Sequence, residues 1–299
     1  MNEVRKLLES RFPGLHGRIE QALLESEARY NREKGQAPSE FLLEHTRRTA
    51  AITYKLAAQE GVDPLLPVLV ALFHDAGKFH EGHYHKDEVP EEEHAALLAG
   101  AMLGDHKAER TEVEAVLGAL RALYDDRLPC VGPWRIVQDA DRLDKLGAMG
   151  VGAFFTKATL RGRGLADAIV HTLSREFTYA QAAPRSMFTP SGRALAHAQS
   201  ARSIAFFDDL LGELESCGIA GFERRTVDLD GEFRTRDGAC VQGMQVTVVT
   251  PRTCPDCEAP IGLTHRRERG LKCEMLKARM ACEACDYARE ISFCLPVLA

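Results

Sequence analysis

The sequence lacks any long apolar run. Its longest, Pro64 to Phe73, is far too short to span a bilayer as a helix, so no membrane-crossing segment is expected. The N-terminus, MNEVRKLLESRF, has no apolar h-region, and no secretory signal is expected either. Positive charge is not in excess. With 38 Lys and Arg against 44 Asp and Glu the net charge is -6, which argues against a general nucleic-acid coat while leaving room for a local basic patch. No internal repeat or low-complexity stretch stands out, which removes repeat architectures from consideration. What remains is an ordinary soluble composition, 45% apolar and 27% charged, expected in the cytoplasm and with no membrane partner. A length of 299 residues suits one large domain plus a small one, or two of middling size.

Cysteine, by contrast, is plentiful. Nine cysteines, an odd number that includes two C-x-x-C pairs, fit metal thiolates in a reducing compartment better than disulfides. Cys254-x-x-Cys257 and Cys282-x-x-Cys285 stand 24 residues apart, each pair able to form a knuckle. Together they match the tetrahedral thiolate shell of structural zinc, although a rubredoxin-like iron site uses the same ligands. A redox dithiol would need only one pair. The flanking β-prone segments resemble a zinc ribbon, with Cys273 and Cys294 on strands and Cys130 and Cys217 as ordinary buried thiols. Val227 to Phe233 reads as a hairpin and Met244 to Thr250 as a strand. His265-Arg266-Arg267-Glu268-Arg269 lies between the pairs and could contact nucleic acid or protein. Glu268 dilutes its charge, and no aromatic is interleaved for stacking.

The region before Cys217 reads as helical throughout. Two amphipathic helices broken at Phe12-Pro13-Gly14 precede a long helix capped by Ser39. Its apolar stripe, Leu42, His45, Thr49, Ile52 and Leu56, keeps His45 on the buried face. After a turn at Gly61, Asp63 caps a further helix that starts with Pro64 and is stopped by a left-handed Gly77. It ends in Leu72-Phe73-His74-Asp75-Ala76-Gly77-Lys78. Imidazole and carboxylate side by side suit a divalent ion of the Mn, Fe, Co or Zn kind, provided further ligands come from elsewhere. Glu91 to Leu103, carrying His94, and Thr111 to Leu123 are two more helices. Trp134 to Gly147 contains Asp139 and Asp141, which cannot share one helix face, so only one of them should meet the ion. A last long helix starts near Ser191.

The order His45, His74-Asp75, Asp141, with FHDAGK joined to VQDADRLD, resembles the HD-domain superfamily of metal-dependent phosphohydrolases over roughly residues 39–215. Met187-Phe188-Thr189, Gly192 to Ala196 and Arg202 are similar to the tail of its small bacterial nucleotide-hydrolase branch. The resemblance implies an HD helical bundle, placed at 1–220; with the composition shift after Cys217 and the cysteine pairs, the expected fold is mainly α with a small β zinc ribbon at 235–299 and the boundary between 217 and 235. The resemblance implies His45, His74, Asp75 and Asp141 as ligands of a divalent metal (Mn, Mg, Co, Fe or Zn), with Asp141 chosen over Asp139. Lys78 falls where relatives place a group that contacts phosphate or assists catalysis, and Arg142 is a second candidate phosphate contact. His94 falls where some relatives place a ligand for a second ion. The later histidine of that pattern is missing, since Leu120 to Asp126 occupies its region, so one metal is expected. The expected activity is hydrolysis of a phosphate ester or anhydride, of a nucleotide or another small phosphorylated substrate. RNA or cyclic-nucleotide phosphodiester hydrolysis and a non-catalytic nucleotide sensor are the alternatives.

Overall fold

The structure is a computed structural model, and it describes residues 2–82, 89–123, 132–219, 221–234, 240–269 and 274–295. It divides into two compact units, residues 1–144 with 188–192, and residues 145–187 with 193–299.

The first unit is helical. Helices α1 (Asn2–Arg11), α2 (Leu15–Glu33), α3 (Phe41–Gln59), α4 (Leu65–Phe73), α5 (Glu91–Asp105), α6 (Arg110–Ala122) and α7 (Arg135–Leu143) follow one another in chain order. The short α4 is its centre. Every residue from Pro67 to Phe73 is buried, and the helix packs on α1, α3, α5, α6 and α7. A helix apolar on all sides is stable only inside a protein, and each Val, Leu or Phe buried this way contributes about 1.5–3 kcal/mol. Burying α4 carries its C-terminal residues, His74 and Asp75, to the bottom of the unit's core.

Three local expectations change. Ser39 does not cap α3 directly. It donates to Glu27 Oε1 (2.6 Å), and the Glu27 carboxylate reaches from α2 to accept from the amides of Phe41 (3.1 Å) and Leu42 (3.0 Å). Asp63 does accept from the Leu65 amide (3.0 Å), with the helix starting one residue after Pro64. Gly77 is not left-handed, because its φ is negative. Its glycine is required by close approach. A Cβ there would lie 2.0 Å from the Glu91 carbonyl oxygen and 2.7 Å from the Ala95 nitrogen, so α5 could not start where it does.

The second unit joins helices to strands in one core. Helices α8 (Gly147–Leu160), α9 (Leu165–Ala168), α10 (Ser174–Ser186) and α11 (Pro190–Ser216, from Arg193 onward in this unit) precede strands β1 (Phe222–Arg234), β2 (Cys240–Pro251), β3 (Ile261–Arg269), β4 (Glu274–Cys282) and β5 (Ala288–Cys294). A π-helical turn, Ile169–Leu173, links α9 to α10. Strands β1 and β2 form an antiparallel pair, and β3, β4 and β5 an antiparallel sheet in that order. Phe154, Phe177 and Phe207 from the helices share one buried cluster with Val246, Val248, Leu276, Met280, Ile291 and Phe293 from the strands.

Helix α10 also closes the open edge of β2. The Val249 amide donates to Ser174 Oγ (2.8 Å) and the Thr247 amide to Thr178 Oγ1 (3.1 Å), whose hydroxyl donates back to the Thr247 carbonyl. An uncovered edge would invite pairing with another chain. The hairpin expected within Val227 to Phe233 is instead one strand with a bulge, its register shifting between Leu229 and Glu232. Gly231, at φ 100, takes the conformation the bulge needs. Cys217 is exposed rather than buried, Cys294 lies on β5, and Cys130 and Cys273 fall outside the described residues. No helix among the described residues is long and apolar enough to cross a membrane.

Candidate metal centres and active site

Helices α3 and α7 flank the end of α4, and the side chains they contribute converge on it. His45 Nε2 lies 3.3 Å from His74 Nε2, 3.3 Å from Asp141 Oδ1 and 3.5 Å from Asp75 Oδ2. His74 Nε2 lies 3.7 Å from the same Asp75 oxygen. All four residues are buried.

The outer nitrogens of both rings are already committed. His45 Nδ1 sits 2.7 Å from Asp144 Oδ2, and His74 Nδ1 sits 2.6 Å from the Ala71 carbonyl oxygen, an acceptor only. With Nδ1–H donating outward, each neutral ring turns the bare Nε2 lone pair inward, the tautomer a metal takes. Two nitrogen lone pairs and two carboxylates facing one another repel unless a cation stands between them. Their spacing suits one, since donors held about 2.1 Å from a tetrahedral ion stand about 3.4 Å apart.

Residues 42–146 match the family model of the HD domain. The chain carries an HD domain. That superfamily comprises metal-dependent phosphohydrolases, and of the ligand positions expected from the sequence His45, His74 and Asp141 form one close grouping, with Asp75 beside the two histidines. Several solved structures are similar to the chain, three of them as follows. One is described as a predicted HD superfamily hydrolase from an uncultured Thermotogales bacterium, 23% identical, covering 69% of this chain and 96% of that one, with a TM-score of 0.49. Another is an HD-superfamily hydrolase from Bacillus thuringiensis, 20% identical, covering 68% and 99%, with a TM-score of 0.48. The third is Bacillus subtilis YpgQ in complex with ADP, 18% identical, covering 67% and 96%, with a TM-score of 0.48. Likeness this distant says nothing of what the present chain binds. No curated protein matches it.

Within the HD domain the electrostatics favour a cation. Burial lowers the pKa of His45, but the Asp141 and Asp144 carboxylates, which accept from the ring, outweigh it and raise it above its ordinary value. Burial pushes His74 down. Burial would raise the Asp75 carboxyl, yet the Lys78 ammonium, then His74 and His45, hold it well below the usual carboxylate range. Lys78 Nζ stands 2.5 Å from Asp75 Oδ2 and keeps about a quarter of its side chain exposed (24%).

The two aspartates of α7 part as their spacing requires. Asp141 faces the histidines. Asp139 accepts from the amides of Phe188 (2.9 Å) and Thr189 (2.8 Å) and from the Thr189 hydroxyl (2.8 Å), anchoring the lead-in to α11. The Arg142 guanidinium lies 5.9 Å from the centre of the Phe188 ring. His94 stacks on His80 (centroids 3.7 Å apart) and stands outside the three-residue grouping of His45, His74 and Asp141.

Asp144 is the residue sequence reasoning missed. Besides His45 it accepts from Arg48 Nε (2.6 Å) and Nη2 (3.1 Å). The signal was present: Asp144 follows Asp141 by three residues and Arg48 follows His45 by three, so each pair shares a helix face.

The second centre lies in the other unit. Cys254 Sγ is 3.5 Å from Cys285 Sγ, and Cys257 Sγ is 3.5 Å from Cys282 and 3.6 Å from Cys285. Thiolates on a tetrahedral zinc at about 2.3 Å stand about 3.8 Å apart, so the four sulfurs fit a closed shell. Two knuckles position them: the Glu258 amide donates to the Cys254 carbonyl (2.9 Å), and the Ala284 amide points at Cys282 Sγ (3.3 Å). That amide is the main cause drawing the Cys282 thiol down to about 7, towards the ionised form a metal takes.

Proposed function

We propose that this chain hydrolyses a phosphate ester or anhydride of a nucleotide, and that His45, His74, Asp75 and Asp141 hold the divalent ion it uses. The observation that carries the reading is the committed Nδ1 of both histidines, which aims two Nε2 lone pairs at each other and at two carboxylates. Two imidazoles with two carboxylates favour Mn, Fe, Co or Zn over Mg, which prefers oxygen ligands and retained waters. When bound, such an ion supplies a water of lowered pKa and offsets charge on the phosphoryl oxygens.

The chain's own residues do the rest. Asp144 fixes the His45 tautomer and Ala71 that of His74. Lys78, now on Asp75, is placed to release one carboxylate oxygen and contact an incoming phosphate as a point charge. The nucleotide preference rests on the resemblance of the 187–202 segment and on nothing finer. The four-cysteine site is read as structural zinc. In the basic run between the cysteine pairs, Arg267 is engaged within its unit. Its guanidinium lies 4.0 Å from the Phe233 ring centre and bonds Glu274 (2.9 Å) and the Glu232 carbonyl (2.7 Å).

The test is phosphate and pyrophosphate release across a panel of nucleoside mono-, di- and triphosphates with Mn²⁺, Mg²⁺, Co²⁺ and Fe²⁺. Metal-dependent release from at least one nucleotide is expected. Tight nucleotide binding with no release under any metal would make the domain a sensor.

A further inference from the structure

Arg48 carries a charge that an ordinary surface role does not explain. It lies three residues after His45 on α3, so the two side chains share a face. Its guanidinium bonds both oxygens of Asp144, Nε to Oδ1 at 2.6 Å and Nη2 to Oδ2 at 3.1 Å. The remaining nitrogen, Nη1, stands 3.8 Å from Glu44, whose side chain is 63% exposed. A loose contact of that kind in water contributes little. Asp144 is a different partner, since its side chain is only 2% exposed. A buried carboxylate is costly unless its charge is met, and a two-point pair with arginine meets it in a fixed geometry.

Asp144 also sits in an adverse place. It is the C-cap of α7, at the end where the helix dipole disfavours negative charge. Nothing in α7 itself therefore asks for an aspartate here. Two partners on α3 do, Arg48 and the His45 ring, whose Nδ1 lies 2.7 Å from Oδ2. The last torsion of an aspartate is broad, and one donor on one oxygen would leave the carboxylate free to turn. A planar fork on both oxygens removes that freedom. With its plane fixed, Oδ2 faces His45 Nδ1. The imidazole is then held with Nε2 towards His74 Nε2 (3.3 Å) and Asp141 Oδ1 (3.3 Å).

We propose that Arg48 is a positioning residue of the HD site, acting on the bound ion through Asp144 and His45 without touching ion or substrate. The inference rests on the reading of His45, His74, Asp75 and Asp141 as the ligands. Helix α3 then carries both a ligand, His45, and the arginine that aims it. Helix α7 carries both a ligand, Asp141, and the carboxylate that stands between arginine and histidine. The Arg48–Asp144 pair therefore also sets how the two ligand-bearing helices meet.

The experiment titrates the full-length protein, purified with zinc to fill the cysteine site, with Mn²⁺ and reads the free ion by electron paramagnetic resonance. His74→Ala serves as the blank, so that only ions at the HD site are counted. Arg48→Met keeps the length of the side chain and should raise the Mn²⁺ dissociation constant about tenfold, the lower end of what losing a group behind a metal-binding histidine costs. Arg48→Lys keeps the charge without the fork and should raise it about threefold. In the Asp144→Ala background, Arg48→Met should weaken binding no further, because the carboxylate it acts through is gone. Wild-type affinity in folded Arg48→Met or Arg48→Lys, with only a lower Tm, would make the residue merely structural and overturn the proposal. A tenfold loss that persists in the Asp144→Ala background would overturn it as well. Equal Mn²⁺ uptake by wild type and His74→Ala would refute the ligand assignment itself, and the proposal with it.

Discussion

Asp144 offers a sharp test of the HD site because it is not one of the four proposed ligands and acts through His45. Its carboxylate holds His45 Nδ1 at 2.7 Å and Arg48 at 2.6 Å, and only 2% of its side chain is exposed. Removing a group that orients a metal-binding histidine typically costs 10–100-fold in metal affinity, about 1.4–2.7 kcal/mol. Asp144→Ala should therefore weaken metal binding by that factor with all four ligands intact. The cost to folding should be smaller, about 1 kcal/mol, because the stranded Arg48 is 27% exposed and keeps Glu44 3.8 Å away.

Asp144→Asn separates orientation from shape. An amide can accept from only one of the two donors, and its NH₂ would face the other. Relief comes when the His45 proton moves to Nε2, into the ligand cluster, so the Asn variant should bind metal no better than the Ala variant. Acid provides a further check on sign. Burial raises the Asp144 carboxyl, but His45 and Arg48 outweigh this and depress it below its ordinary value of 3.8. Its contribution to stability is thus present above that value and is lost as pH falls through the lower folded-state value. The assay is competition with a chelating indicator for Mn²⁺ or Zn²⁺, with circular dichroism to verify the fold. Wild-type affinity in a folded Asp144→Ala protein would refute the tautomer argument.

Other outcomes follow from the same geometry. Asp139→Ala should leave metal binding at the HD site intact while costing about 1–3 kcal/mol in thermal unfolding, because the Phe188 and Thr189 amides lose their acceptor. Metal affinity should weaken as pH falls through the His45 value, which lies above the ordinary 6.5, because proton and metal compete for Nε2; calorimetry in buffers of different ionisation enthalpy would count the released proton. Cys254→Ser with Cys282→Ser should remove one tightly held metal per chain by elemental analysis and open β3–β5 to protease. Truncation after Cys217 should do more harm than that, since Phe154, Phe177 and Phe207 would lose the strand side of their core, and the product should aggregate on sizing.

The elements that carry chemistry were legible in the sequence because their signals are local. An apolar run ending in His-Asp, a histidine in register on the preceding helix and a D-x-D pair with one possible inward face mark the candidates, and the resemblance to the HD superfamily picks the ligands among them. C-x-x-C spacing places the thiolates. The features that escaped depend on partners far along the chain. Glu27 caps α3 from another helix, and nothing in its neighbourhood marks it as a cap. Asp144 acquires its role only when α3 and α7 meet. Asp230-Gly231 looks like a hairpin turn to any local rule, and pairing with the full length of β2 makes it a bulge. The glycine in Ala76-Gly77-Lys78 signals a turn, but its cause is the backbone of α5.

The central claim, that these four ligands hold an ion on which phosphate hydrolysis depends, is tested most directly by His74→Ala. Bound divalent metal and phosphate release would be measured on the same preparation, beside wild type, with far-UV circular dichroism of both. The account predicts that metal at the HD site and turnover vanish together while the helical signal persists and the four-cysteine metal remains. Turnover retained in a folded His74→Ala protein would contradict it.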